Sequence, residues 1–231
     1  MLITHPKTVP YITARVGEDC ESAASLRAGL GPDGRRRLAY RGERRGDRNA
    51  WGVLWARCAQ APRDKHRMPM GEPRGSLMHP SRQRETMQHL LCQVCGRPAR
   101  TQEGVVFLAG PTDHGPHDTS VITCQPPVCP RHAPVAVGLC PLLDGTPDVF
   151  LTASCPMHGA LGTPYAADAA GELRALPPPE RPVRYEAPGL EWLLATHLAR
   201  RLRSFRRISL HDIQDLEPLA PCGGVWAGCW T

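Results

Sequence analysis

The chain contains 231 residues, with 25 Pro and 22 Gly, only 5 % aromatic residues and a formal net charge of +6 at pH 7. This length can bury a core and form one or two domains, while the Pro and Gly content predicts irregular segments. The sequence shows no apolar signal-peptide core and no apolar stretch long enough to span a bilayer. It therefore predicts a cytoplasmic protein without a membrane partner.

Arginine dominates the positive charge, since Lys7 and Lys65 are the only lysines. Together with a single asparagine, Asn49, this bias is typical of a GC-rich coding sequence, so the charge alone does not indicate a nucleic-acid partner. The chain also contains 10 Cys. Without an export signal, these cysteines favour a reducing compartment, and metal ligation over disulfide bonding.

The first 79 residues carry weak structural signals. Residues 1–48 contain clustered arginines among Gly and Asp with few large apolar side chains, which predicts a poorly ordered basic segment. Within residues 49–79, the apolar and aromatic run Trp51–Arg57 predicts a short strand or docking segment. The remainder, rich in Pro, Gly and charge, predicts a loop.

Residues 80–165 carry the strongest signals. A helix is predicted over residues 80–91, because Pro80 suits a first helical turn and the apolar residues that follow share one face. Shorter elements are predicted after it: a strand at 104–110, a polar loop at 111–128, a short helix toward Cys140 and a strand at 148–153.

The last third of the chain begins with residues 166–188, where Pro177–Pro179 and further prolines predict an extended spacer. Residues 189–210 place leucines at helical spacing and arginines in the last turns, which predicts an amphipathic basic helix. Residues 211–231 fit no regular element and are interpreted as a tail.

Two pairs of residues in the middle of the chain predict a metal site. Cys92 and Cys95 form a C-x-x-C pair that is followed directly by Gly96, and Cys129 and His132 form a C-x-x-H pair. Three thiolates and one imidazole are the tetrahedral, soft ligand set that Zn²⁺ prefers. The glycine suits the tight turn of a zinc knuckle, because its backbone adopts φ > 0 easily.

A second metal site is also considered. Cys155 and His158 repeat the C-x-x-H spacing, and Cys124 and Cys140 complete a Cys₃His set. The alternative is a group of isolated buried thiols with His158 on the surface. Cys124 and Cys129 could also compete for the first site.

The order helix, knuckle, strand, loop and a second pair at the start of a helix predicts the fold class. It matches a treble-clef zinc finger, in which the second pair of ligands comes from a helix N-terminus. The prediction is an α+β protein: a small treble-clef-like zinc-binding domain over residues 80–165 with short strands, irregular Pro- and Gly-rich segments and a C-terminal amphipathic helix. With four protein ligands, the zinc would be structural.

Five motifs are spread over residues 50–155: Trp51–Arg57, Arg82-Gln83-Arg84, Leu91–Gly96, Pro127-Val128-Cys129 and Cys140-Pro141. With these motifs the segment resembles a group of Cys-rich, treble-clef-like zinc-finger proteins from actinobacteria. The resemblance implies zinc on the paired ligands and a cytoplasmic setting, and it implies no particular activity. His132 stands where those relatives have Cys.

Asp113-His114, followed by Pro116, lies between the two ligand pairs. In this segment the chain weakly resembles HNH endonucleases, which have an Asp-His segment at the same place. The resemblance implies His114 as the general base and Asp113 as a ligand of a Mg²⁺-type ion. The chain departs from the family in lacking its middle Asn and in having Ala133 after the second pair, although His117-Asp118 could act as a displaced ligand pair.

Three classes of function follow. The favoured class is a non-enzymatic zinc-binding module that contacts a protein or nucleic acid, with no small-molecule substrate indicated. The alternatives are a degenerate HNH-like nuclease and a thiol redox or zinc-sensing role for the C-x-x-C pair. Phosphate contacts, in the nucleic-acid version, would come from arginines near the knuckle and at the basic end of the last helix: Arg97, Arg100, Arg200, Arg203 and Arg207.

Overall fold

The structure of the chain is a computed structural model, which describes residues 8–110, 115, 118–140, 143 and 147–219. Two α-helices lie in these residues, α1 (Pro80–His89) and α2 (Ala133–Leu139). The strands of the first half are β1 (Thr13–Arg15), β2 (Leu26–Leu30), β3 (Arg36–Tyr40), β4 (Leu54–Trp55), β5 (Pro73–Met78) and β6 (Val105–Ala109). Those of the second half are β7 (Val121–Thr123), β8 (Asp148–Ser154), β9 (Met157–Ala167), β10 (Leu173–Ala175), β11 (Val183–Arg184) and β12 (Leu193–Ile208).

The central strand of the largest sheet is β12, which runs antiparallel to both β8 and β9. Arg203 lies opposite Ser154 in β8, and Arg200 lies opposite Met157 in β9. Between them the Arg201 N–H donates to the Pro156 carbonyl at 3.0 Å. Because this register continues from β8 into β9, the two strands line one edge of β12 along its whole length.

The remaining strands extend this sheet to eight. On the outer edges, β6 pairs with β8, while β10 and β11 pair with β9, all of them antiparallel. The other edge of β12 receives β4 in parallel and β7 antiparallel. Two small sheets, β1 with β5 and the hairpin of β2 with β3, lie beside the large one.

The side chain of Gln83 fills the gap between β4 and β7 along β12. Its Oε1 accepts from the Leu198 N–H at 2.8 Å, and its Nε2 donates to the Leu198 carbonyl at 2.9 Å and to the Cys124 carbonyl at 2.7 Å. Gln83 has no exposed surface. The amide therefore satisfies backbone groups that would otherwise be buried without partners.

Strand β6 shows how the sheet separates two hydrophobic clusters. Phe107 packs with Phe150, Met87 and Leu198 in the cluster that α1 covers. The neighbouring side chains Val106 and Leu108 face the opposite way, in a second cluster with Cys92 and α2 residues. All five residues of β6 are buried because both faces of the sheet are covered.

The predicted fold class is wrong. The described residues form mainly β-structure, with an eight-stranded sheet and two short α-helices, and not a small treble-clef-like α+β domain. The region 80–165 is no separate domain either, because β12 pairs with β7, β8 and β9 across its C-terminal boundary. Local elements were predicted better: α1, β6 and β8 confirm the helix at 80–91 and the strands at 104–110 and 148–153.

The amphipathic basic helix predicted over residues 189–210 is also wrong, since Leu193–Ile208 is strand β12. The apolar run from Leu193 to Ala199 fits both periods, because a strand buried on both faces needs no alternation. Tertiary pairing decides the outcome: both edges of β12 are occupied by other strands. The preceding spacer, predicted over 166–188, includes β10 and β11.

The N-terminal segment is ordered where the structure describes it, contrary to the prediction for residues 1–48. Residues 26–40 form the β2–β3 hairpin, whose turn is closed by the Gly31 N–H donating to the Arg35 carbonyl at 2.7 Å. Leu26, Leu38 and Tyr40 are buried in a cluster with Leu54 of β4. The register places Arg27 and Arg37 on the opposite face of the hairpin, so a basic composition did not prevent folding.

Candidate metal centre

The Cys92–Cys95 pair lies in a tight turn directly after α1. The helix ends at Leu90, whose φ of 52° is left-handed. The Cys92 N–H then donates to the Arg97 carbonyl at 2.7 Å, and the Gly96 N–H donates to the Cys92 carbonyl at 2.8 Å. These bonds close a knuckle that directs both thiols to the same side, as the C-x-x-C-Gly sequence predicted.

Gly96 is required by both its conformation and its neighbour. Its φ is +66°, and a Cβ added there would lie 3.1 Å from the Tyr11 ring. The hydroxyl group of Tyr11 donates to Glu85 of α1 at 2.6 Å, which holds the ring in place. The N-terminal segment therefore covers the outside of the knuckle.

We expect Gly96→Ala to lower the free energy of unfolding by about 2 kcal/mol, because it adds a contact with Tyr11 to the strain of a left-handed alanine. Gly34→Ala is the matched control: Gly34 has φ +75° and nothing within 4 Å of an added Cβ, so only the strain of about 1 kcal/mol applies. Urea denaturation of both variants measures the difference. Equal losses would show that the Tyr11 ring moves aside freely.

The second pair lies at the start of a helical segment, as predicted. Cys129 precedes a 3₁₀ turn, Pro130–His132, that continues into α2. The His132 N–H donates to the Cys129 carbonyl at 3.0 Å. This turn places the Cys129 Sγ 3.1 Å from the His132 Nδ1.

The four predicted ligand residues converge. One ligand atom from each of Cys92, Cys95, Cys129 and His132 lies within 4.8 Å of all the others. Zinc–sulfur and zinc–nitrogen bonds of about 2.3 and 2.0 Å in a tetrahedron put ligand atoms roughly 3.5–3.8 Å apart. The group therefore has the composition and the spacing to hold one metal ion. Cys92 is fully buried, and the other three are partly buried.

The three thiols form a hydrogen-bonded group. Hydrogen bonds with Cys129 and Cys95 raise the pKa of the Cys92 thiol, and burial adds to the increase. Hydrogen bonds from Cys129 and Cys92 lower the pKa of Cys95. The Cys95 thiol thus ionises more readily than the thiols beside it. A bound cation would allow those thiols to ionise as well.

Backbone hydrogen bonds connect the knuckle to two distant segments. The Tyr11 N–H donates to the Val94 carbonyl at 2.9 Å, and the Gln93 N–H donates to the Pro127 carbonyl at 2.9 Å. The Gln93 side chain also donates to the Pro126 carbonyl at 3.0 Å. A metal bound here would therefore fix the relative positions of the N-terminal segment, the knuckle and the chain leading into α2.

The residues considered for a second metal site do not come together. No three of them meet in a ligand group within the part of the chain that the structure describes. Cys140 ends α2 and packs against the second cluster, whereas Cys155 lies in the first cluster with a pKa raised by burial. The Cys124 carbonyl accepts from Gln83, and His158 lies near Arg201 and Arg184.

The two residues that carry the endonuclease resemblance, Asp113 and His114, lie outside the described residues. Ala133, which departs from the family pattern, is fully buried in the second cluster at the start of α2.

The five arginines predicted to meet phosphates occupy different settings. Arg200 is buried, and its guanidinium donates to the Met87 and Gln88 carbonyls at the end of α1 and to Cys155. Arg200 therefore stabilises the helix terminus, and its guanidinium is not accessible to a phosphate group. Arg207 donates to the Gly115 carbonyl at 3.0 Å. Arg97, Arg100, Arg203 and Arg207 are exposed.

Cys20 and Cys58 form a disulfide, contrary to the preference for metal ligation over disulfide bonding. They face each other in an isolated antiparallel bridge with Cα atoms 3.8 Å apart. No local sequence signal marked this pair, which lies 38 residues apart. Disulfides persist mainly in oxidising compartments, so this bond weighs against the reducing compartment behind the predicted cytoplasmic location.

Sequence reasoning also missed a buried pair of charges that links the N-terminal segment to α1. Arg82 forms a two-pronged ion pair with Glu18, with both N···O distances at 2.6 Å. Each side chain is 1 % exposed. A glutamate within a weakly patterned N-terminal segment gave no signal, because its partner is 64 residues away.

No protein-family model, curated protein or solved structure matches this chain. Among the helices that the structure describes, none combines the length and the apolar character of a membrane span.

Proposed function

We propose that Cys92, Cys95, Cys129 and His132 bind one Zn²⁺ and that this zinc is structural. The observation that carries the proposal is the convergence of four soft ligand atoms within 4.8 Å of one another. A site with four protein ligands has no open position for water or substrate. Thiolate-rich sets of this kind select zinc over hard cations such as Mg²⁺.

The surroundings support a structural role. Cys92 is buried in the second cluster, where Val106, Val128 and Ala133 also have no exposed surface. A metal at this point would cross-link α1, β6 and α2 through their connecting segments. Because ligation occurs only in the folded state, its free energy would contribute directly to folding.

We further propose that the chain acts as a binding or scaffold protein through contact with another protein. With four protein ligands on the metal, the metal itself offers no catalytic position. Arg200, one of the five arginines predicted to meet phosphates, is buried and donates instead to the last carbonyls of α1. The chain's contribution is then its shape, which the zinc would hold.

Metal content tests the proposal. We expect one zinc per chain by mass spectrometry of freshly purified protein, lost in Cys92→Ser and retained in Cys155→Ser. Cys155 is the matched control because it is also buried, at 8 % exposed, but lies in the other cluster. Zinc equally present in Cys92→Ser would contradict the assignment of the ligands.

Cobalt substitution tests whether the site is closed. Co²⁺ in the wild type should give the intense visible bands of a tetrahedral thiolate site, and an excess of azide or imidazole should leave them unchanged. A spectral shift on adding either ligand would reveal an open coordination position. That result would overturn the structural role while leaving metal binding intact.

A further inference from the structure

A small basic pocket lies where β8 passes into β9, away from the metal centre. Its volume is about 150 Å³, and Pro156 forms part of its wall. The pocket is also lined by His158 and by four charged residues of β12 and the β11 segment: Arg201, Arg203, Arg184 and Glu186. The lining therefore contains three guanidinium groups and one carboxylate.

The positive charge in this pocket is poorly compensated. Arg184 pairs with Glu186 at 3.7 Å, and these two side chains are 65 % and 75 % exposed. Arg201 and Arg203 have no side-chain hydrogen bond or ion pair with any residue that the structure describes. The Arg201 Nε is buried without a partner, which is costly for a charged donor.

Strand pairing fixes the positions of these groups. The Arg201 N–H donates to the Pro156 carbonyl at 3.0 Å, which holds β12 against the β8–β9 junction. The Tyr185 N–H donates to the His158 carbonyl at 3.2 Å, and Arg184 pairs with Gly159 in the register of β11 and β9. A Cβ at Gly159 would lie 1.9 Å from the Val183 carbonyl oxygen, so only glycine allows this close approach.

We propose that this pocket binds a phosphate-type oxyanion, held by the guanidinium groups of Arg201, Arg203 and Arg184. An oxyanion accepts hydrogen bonds from guanidinium N–H groups and neutralises the excess of positive charge. Guanidinium groups suit this ligand because their planar N–H donors match the spacing of phosphate oxygens. His158, 8 % exposed, also lines the pocket.

The pocket is not part of the proposed metal site, so the two proposals fail separately. The ligands of the metal centre belong to the second cluster, whereas the pocket lies at the β8–β9 junction. Two sources of the oxyanion share this chemistry: free inorganic phosphate and the phosphodiester of a nucleic-acid backbone. The volume of the pocket fits a single group of either kind.

Calorimetric titration of the full chain as purified with inorganic phosphate, in a low-salt buffer without other oxyanions, tests the proposal. We expect 1:1 binding that weakens about tenfold or more in Arg201→Gln and in Arg203→Gln, because each variant loses a charge-assisted donor. Arg203 is exposed, so its variant remains informative where Arg201→Gln fails to fold. Arg206→Gln is the matched control, since Arg206 lies on the same strand but pairs with Glu103.

The possible outcomes distinguish the two sources of the oxyanion from each other and from results that overturn the proposal. A thymidine dinucleotide that competes with phosphate and loses affinity in the same two variants would identify the diester as a ligand, whereas phosphate binding alone would identify the free anion. No saturable binding of either probe to the wild type would overturn the proposal. An equal loss in Arg206→Gln would overturn it too, because that result reports only net charge.

Discussion

Replacing Cys92 by serine is expected to lower the free energy of unfolding by roughly 5 kcal/mol or more, the largest effect of any single change discussed here. The variant loses a metal ligand. Because Cys92 is fully buried, the variant also places a hydroxyl group in an apolar cluster. Structural zinc contributes on the order of 10 kcal/mol in small zinc-dependent folds. Removing one ligand of four forfeits much of that energy.

Thermal and urea unfolding, followed by circular dichroism with and without a chelator, measure this effect. The chelator should destabilise the wild type and leave Cys92→Ser nearly unchanged, since that variant has already lost its metal. Cys155→Ser should keep the chelator response and lose only about 1 kcal/mol, because it alters one buried thiol without touching a ligand. Equal stability of Cys92→Ser and the wild type would contradict a structural metal.

Hydrogen exchange locates the damage. In Cys92→Ser, exchange protection should fall at the knuckle and at the two segments bonded to it, around Tyr11 and around Pro127. Protection along the pairing of β9 with β12 should persist, because that part of the sheet lies in the other cluster. Uniform loss across both clusters would instead show that the metal holds the whole chain together.

The metal ligands were predictable because their spacing reports a local constraint. A C-x-x-C pair followed by glycine forms the same turn in many contexts, and the C-x-x-H pair places both side chains at the start of a helical turn. Each pair supplies only two of the four ligands that a tetrahedral zinc site takes. The approach of the two pairs could therefore be inferred from the chemistry of the metal alone. The residues considered for a second metal site do not converge, because Cys155 and Cys140 lie in different hydrophobic clusters.

The sheet was not predictable in the same way. The apolar run of β12 satisfies helical spacing as well as a doubly buried strand, and only its pairing partners distinguish the two. Those partners lie far away in sequence, such as β4 with Leu54 opposite Leu194. One missed signal was local: Gly31-Pro32-Asp33-Gly34 is a strong turn sequence between two alternating segments, and it marks the β2–β3 hairpin.

Side chains that replace backbone partners are the hardest features to infer. Gln83 completes the edge of β12, and Arg200 satisfies the last carbonyls of α1. Hydrophobic periodicity assigns each position only to an exposed or a buried face. It does not predict that a polar side chain at such a position will bond to the backbone of another element. Their roles depend on gaps that exist only once the sheet has formed, so a single sequence offers no pattern for them.

The buried Arg82–Glu18 pair carries the second large expectation. Replacing Arg82 by methionine should lower the free energy of unfolding by about 3–5 kcal/mol, because it removes the guanidinium that contacts the buried Glu18 carboxylate directly. Backbone N–H groups of Arg15 and Ala61 also donate to that carboxylate, at 2.6 and 2.7 Å, so it is fixed in place and cannot turn toward water. Urea denaturation at pH 7 measures the loss.

Two further variants isolate the pair. The double variant Glu18→Gln with Arg82→Met should be less destabilised than the sum of the two single variants, because the buried carboxylate charge is gone. Glu103→Gln, which breaks the surface pair with Arg206, is the matched control and should cost less than about 1 kcal/mol. A loss for Arg82→Met as small as that of the control would show that water reaches Glu18.

The same pair predicts how stability depends on pH. Burial alone would raise the pKa of Glu18, but the hydrogen bonds from Arg82, Ala61 and Arg15 lower it from 4.5 to about 2. A carboxylate with a depressed folded-state pKa stabilises the protein above its unfolded pKa, and this stability is lost as the pH falls toward 2. The wild type should therefore lose on the order of 3 kcal/mol more than Glu18→Gln between pH 5 and 2. Parallel pH profiles for the two proteins would mean that the hydrogen bonds do not favour the ionised form of Glu18.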